Sequence, residues 1–254
     1  MKLNNRLLPL LIPLLVILLQ EMYFFYPRLI YLTAVLAILL IFFAVWQFGG
    51  ASKIDSQWWN YLILPAIMTL AVMAYSVFIS HKLIIQLLFI SNLVFLYLYL
   101  RHLYYYLFNP LAYEAFSLEN ISSYVNWLIF FLLAATLYGL ESFLNLSIFW
   151  LALIIISAAA LLVYQIIWVN KIELMVGLPY ILLSCLILVE LFWSISFLPF
   201  NYNIAGLSLA ICYYVIIGLV KNHLFNKLDA AKVKMYLILG SASLFLVLLT
   251  ARWV

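Results

Sequence analysis

The chain has 254 residues, 70% of them hydrophobic and 8% charged, with 12 Lys and Arg against 8 Asp and Glu for a formal charge of +4. Soluble domains carry roughly 45–50% apolar and about 25% charged residues, so a compact soluble fold could not hide this much apolar surface. The apolar runs are long and continuous, without the alternation of barrel strands, and they predict an all-α integral membrane protein, a polytopic bundle of about nine transmembrane helices with short loops.

Charge, Pro, Gly and Asn collect between the runs. They divide residues 1–254, read as a single transmembrane domain, into spans near 7–26, 29–48, 59–80, 83–107, 123–145, 147–169, 173–198, 203–221 and 234–252. Lys2 and Arg6 precede "LLPLLIPLLVILL" as in a secretory signal, but "QEMYFFYPR" follows with no small-x-small cleavage site, so the segment reads as a retained first helix. Most connections are short enough to make consecutive helices antiparallel neighbours. Only 49–58, 108–122 and 222–233 are long enough for structure of their own.

Polar groups inside the spans are the candidate functional residues. Glu21 lies in the first span. In the fourth, "SNLVFLYLYLRHLYYYLF" places Asn92, Tyr99, His102 and Tyr106 on one face, with Tyr97, Arg101, Tyr104 and Tyr105 beside them. This is either a substrate groove or, more simply, an interface cluster in which the Arg101 head snorkels and is held by tyrosine hydroxyls or Glu114. Glu141 lies in the fifth span and Glu190 in the seventh, about 5 Å beyond the bilayer midplane at 1.5 Å per residue. Ser194 shares the face of Glu190. An ionised carboxylate facing lipid is costly, so Glu190 is expected to face the bundle interior, protonated or hydrogen-bonded, while Arg28, Lys82 and Arg252 are the cations available to the outer carboxylates. In 222–233, Leu224, Leu228 and Ala231 recur at helical spacing, and Lys221, Lys227, Lys232 and Lys234 supply positive charge. Such a segment suits a flat position on the inner leaflet, the lysines near anionic headgroups.

Nine spans place Lys2, Arg6, Lys53, Arg101, Lys171, Lys221, Lys227, Lys232 and Lys234 on the N-terminal face, and Arg28, Lys82 and Arg252 on the other. The positive-inside bias then orients the N-terminus to the cytoplasm and the C-terminus outside, in the cell membrane. The tryptophans agree as an aromatic belt, Trp46, Trp58, Trp59, Trp127 and Trp168 at one face and Trp150, Trp193 and Trp253 at the other.

No HExxH, GxSxG, GxxxxGK[ST] or strand-linked GxGxxG motif occurs. His81, His102 and His223 are scattered, so no metal site and no cofactor is expected, and Cys185 and Cys212 read as small hydrophobes. Topology accounts for the basic charge, which excludes a nucleic-acid surface. The texture is similar to that of small bacterial inner-membrane proteins. Three classes follow: a structural or accessory component of a membrane assembly, touching lipids and a membrane-protein partner; a carrier for a lipid or small amphipathic solute using Glu21, Glu141 and Glu190; and an intramembrane transferase built on Arg101, His102, Glu114 and Glu119. The first is favoured because motifs, soluble domains and an internal repeat are lacking and Gly numbers only 7.

Overall fold

Long apolar segments can satisfy their backbone N–H and C=O groups in hydrocarbon only by closing them internally, and helices do so within one segment. The computed structural model describes residues 2–51, 57–109, 111, 113 and 117–251. Its elements are α1 Lys2–Phe25, a 3-10 turn Pro27–Leu29, α2 Ile30–Ala51, α3 Asn60–Ser76, α4 Lys82–Phe108, α5 Ser117–Leu144, α6 Ile148–Val169, α7 Leu174–Ser196, α8 Tyr202–Leu224 and α9 Ala230–Thr250. Among the described residues eight helices are long and apolar enough to cross a membrane, and α3, at 17 residues, is a shorter apolar one. The chain is a multi-pass, all-helical membrane protein.

Among the boundaries that differ from the expected spans, three places show a physical cause. α3 stops at Ser76, where the hydroxyl donates to the Met73 carbonyl and meets the Tyr23 hydroxyl of α1, so the side chain takes over bonding at the helix end. α5 begins at Ser117, a turn and a half early. Glu119 in its first turn faces the positive helix end, and the Tyr113 hydroxyl accepts the otherwise orphaned N–H of Leu118. Trp127 therefore sits well along the helix, where its indole N–H donates to the Ala210 carbonyl and ties α5 to α8. Trp253 lies outside the described residues.

The third difference removes the amphipathic segment expected over 222–233. α8 runs to Leu224, and α9 starts at Ala230 with Asp229 as its cap, accepting the Lys232 backbone N–H at 2.7 Å. What remains between them is a tight turn through Asn226, whose φ of 54 is left-handed. Asn145 and Lys171 hold the same conformation after α5 and α6. Asn tolerates it through local hydrogen bonding, so a glycine-poor chain still closes its helices in this way.

The chain groups into two compact units, Met1–Ser123 and Tyr124–Val254. In the first, α1 packs on α4 and α2, α2 on α3, and α3 on α4. Pro65 lies inside α3 and has no N–H to give the Tyr61 carbonyl one turn back. The fully buried Tyr99 of α4 replaces it, its hydroxyl donating to Tyr61 O at 2.9 Å. Thr69 and Asn92 meet one to two turns further along, at 3.5 Å, and Tyr23 stacks edge-on against Phe89.

In the second unit α6, α7, α8 and α9 pack in succession, while α5 reaches three of them through side chains. Asn126 Nδ2 donates to Leu162 O of α6 at 2.9 Å, Trp127 to Ala210 O of α8 at 3.0 Å, and Tyr138 to Phe192 O of α7 at 2.9 Å. Gly206 is required where α8 crosses α5, since a Cβ there would lie 2.6 Å from the Ala135 backbone nitrogen. Gly218 and Gly240 similarly admit Tyr236 and Val215 across the α8–α9 contact. Of α9, only Gly240 is buried.

The Pro65–Tyr99 relation has a test in a double-mutant cycle. Tyr99→Phe should cost about 1–2 kcal/mol of stability in the wild-type background, and nearly nothing with Pro65→Ala, which returns an N–H to the Tyr61 carbonyl. The unfolding midpoint in mixed micelles reads both.

Candidate functional site

The carboxylates of the outer half are placed on separate helices and in different surroundings. Glu21 is half-buried on α1, and its Oε2 accepts a hydrogen bond from Gln86 Nε2 of α4 at 3.1 Å, so an amide takes the place expected for a cation. Glu141 is half-buried in the last turn of α5. Glu190 is exposed, on the outward stripe of α7 with Leu182, Leu186, Trp193 and Ser194.

The expectation that Glu190 faces the bundle interior therefore fails. The inward face of α7 is taken by Ile181, Ser184, Cys185, Leu188 and Phe192. At 100° per residue, position 190 falls on the opposite side from 188 and 192. Ser194 does share its face, but its hydroxyl donates to the Glu190 backbone carbonyl at 2.7 Å and leaves the carboxylate alone. Glu190 precedes the last residue of α7 by about 9 Å of rise, and Phe197, Leu198 and Phe200 prolong the apolar chain beyond the helix. Every described cation of this unit (Lys171, His223, Lys227, Lys232, Lys234 and Lys221) lies at the other end, around the α6–α7 and α8–α9 turns. Arg252 lies outside the described residues.

The aromatic segment of α4 resolves into separate roles. Tyr99 is fully buried and engaged with α3. Arg101 is exposed, its guanidinium donating to the Tyr97 hydroxyl at 3.2 Å and lying 5.7 Å from the Tyr105 ring. Tyrosines therefore hold the guanidinium, and the other expected holder, Glu114, lies outside the described residues. His102 and Tyr106 are half-buried, and the Tyr106 ring contacts Tyr61 and Tyr113. Tyr113 donates to Glu119 Oε2 at 3.2 Å. Burial pushes its phenol up to about 12, the Leu118 N–H opposes this, and the charge of Glu119 adds to it. The described contacts hold Tyr113 of the α4–α5 connection between Tyr106 of α4 and Glu119 of α5.

At the α8–α9 turn Lys227 is exposed with its ammonium 5.8 Å from the Phe225 ring. Lys232 donates to the Lys227 carbonyl at 2.5 Å and lies 4.0 Å from the Asp229 carboxylate. Lys234 is exposed one turn into α9, and Lys221 is half-buried at the end of α8. The four lysines are thus gathered at one end of the α8–α9 pair.

Buried polar side chains that the sequence reading did not single out lie in the interior of both units. Asn126 is fully buried, accepts the Tyr213 hydroxyl and donates to Leu162 O, while Phe130 stacks on the Tyr213 ring at 4.0 Å. Gln20 is fully buried on α1 with neither amide atom hydrogen-bonded, and the Ser184 and Ser208 hydroxyls are likewise unbonded. Asparagine and glutamine within a predicted span were the available signal. A groove of about 300 Å³ lies between α5, α8 and α9, lined by Trp127, Ile211, Tyr214, Leu239, Gly240 and Ser243 and by none of the three glutamates. Among the described residues no three His, Cys, Asp or Glu side chains gather where a metal ion could be held. Comparison with family models, curated proteins and solved structures gives no match.

Satisfied and unsatisfied amides should respond oppositely to truncation. Gln20→Leu is expected to leave stability unchanged or raise it by about 1–2 kcal/mol, because an unbonded buried amide costs more than it returns. Asn126→Leu should lower it by about 2–4 kcal/mol, stranding the Tyr213 hydroxyl. Chemical unfolding in micelles ranks the two, and the reverse ranking would show that Gln20 has a polar partner in the membrane.

Proposed function

We propose that this protein is a structural or accessory subunit of an assembly in the bacterial cell membrane, with its N-terminus in the cytoplasm and its C-terminus outside. One observation carries the reading. Glu190 presents a carboxylate outward, below the outer end of α7, and among the described residues no side chain of its own unit answers it. A group that costs roughly 2.5–3.5 kcal/mol at the helix centre on insertion scales is retained on an outward face when something else in the membrane meets it.

The interior supports the same reading. Its polar groups tie helix to helix, Asn126 to α6 and Tyr213 and Tyr99 to α3, and these contacts suit a rigid framework better than a moving carrier. A carrier built on the outer carboxylates finds less support: Glu21 is engaged with Gln86, and the glutamates do not line the α5–α8–α9 groove. The transferase reading finds less support because Arg101 is engaged with the Tyr97 hydroxyl and Glu119 with that of Tyr113.

Orientation rests on the nine to three partition of Lys and Arg, with α3 crossing despite its length. Seventeen residues rise about 25 Å, near the lower limit for a span. Reporter fusions at Asn226 and after Val254 should fall in the cytoplasm and outside, respectively; finding both on one side would remove α9 from the count, and finding the two sides exchanged would remove α3 or α1. Affinity purification of the full chain from its own membranes in mild detergent should retain a second integral membrane protein in fixed ratio. A chain that elutes alone contradicts the accessory role.

A further inference from the structure

We infer that the face of α7 around Glu190 receives a transmembrane helix of a different membrane protein, one that carries an arginine or lysine in its outer half. This rests on the accessory reading and names the chemistry of the contact.

The argument is one of charge and depth. Along the exposed stripe of α7, Leu182 and Leu186 lie on the inner side of Glu190, and Trp193 and Phe197 lie on the outer side. The carboxylate is therefore bracketed by side chains that belong in hydrocarbon and at its boundary. It is too short to reach the surface past Trp193, unlike the long stems of Lys and Arg. Ser194, the nearest polar group on the stripe, is turned back to the backbone. The described cations of the second unit stand at the opposite membrane face.

An apolar helix laid on this face would bury the carboxylate without answering it. A second copy of the chain, docked by the same face, would bring another Glu190 against the first, and like charges in low dielectric repel. A guanidinium or ammonium at the same height does the reverse: each charge removes the other's cost of leaving water, which is why ionisable groups in membranes occur in pairs. The exposed Trp193 and Leu186 supply apolar contact on both sides of such a pair.

The test uses the full chain in phosphatidylcholine vesicles with labelled peptides, a polyleucine helix of roughly 20 residues and the same helix with a single arginine in its outer third. Energy transfer from a donor on the protein measures association. The arginine helix should bind about tenfold more tightly than the plain one. Glu190→Gln should erase the difference, and Glu190→Lys should transfer the preference to a helix carrying glutamate. Position 190 is exposed, so both variants should unfold with the wild-type midpoint. Equal binding of the two helices, or a preference that survives Glu190→Gln, overturns the inference. So does a preference that appears only when Arg28, Lys82 or Arg252 is replaced by Gln, since the carboxylate would then be paired within the chain. The accessory reading fails separately: it falls if the wild-type chain purifies without a partner, whereas a partner that stays bound to Glu190→Lys leaves it standing and removes only the contact inferred here.

Discussion

A helical carbonyl has two lone pairs and needs at most one for its own helix, and both units of this protein are assembled on side-chain donors that take a lone pair left free. In hydrocarbon, water cannot compete for it, and a side-chain donor buried without an acceptor is costly. Asn126, Trp127 and Tyr138, all on α5, each find a carbonyl on a different helix, at Leu162, Ala210 and Phe192. In the first unit Tyr99 finds Tyr61, whose carbonyl lacks an intrahelical partner because Pro65 stands in its path. Such bonds are directional where lipid-like packing is not, so they set the rotation and height of each helix against its neighbour.

Close approach follows from the same need. Side-chain donors of fixed length can meet a neighbouring backbone only if the helices lie near one another, and several of the few glycines stand where they do. Gly206 lets α8 press on Ala135 of α5, in the same helix pair that Trp127 and Tyr213 join. Gly218 accepts the Tyr236 ring, which also meets Asn222 of α8. Helix ends use Asn145, Lys171 and Asn226 in the left-handed conformation, where glycine is more usual. The result is an interior with few loose joints, which suits a protein that holds others in place.

Against that interior Glu190 stands apart. Every donor just named faces another helix of its own unit, whereas this acceptor faces away, on α7, beside Trp193 and Leu186. α9 is a second outward element, buried only at Gly240, with Lys234 at its inner end. A protein whose chemistry points inward encloses a site; here the unanswered charge points outward, and that asymmetry directs attention to an assembly partner instead of a substrate.

Much of the architecture was legible in the sequence. The helical class and the helix positions, to within a few residues for most of them, follow from local rules: apolar run length and breaks at Pro, Gly and Asn. Boundaries failed where a distant or capping side chain decided them, as Tyr23 does at Ser76 and Asp229 does at α9. The presence of an unusual carboxylate at 190 was equally plain, since one acidic residue in an apolar run needs no structure to notice. Which way it faces was not, because helical periodicity states which residues share a side and leaves open which side meets the bundle. That was settled by packing: Ser184, Leu188 and Phe192 are drawn in against neighbouring helices, and the rotation that buries them turns Glu190 out.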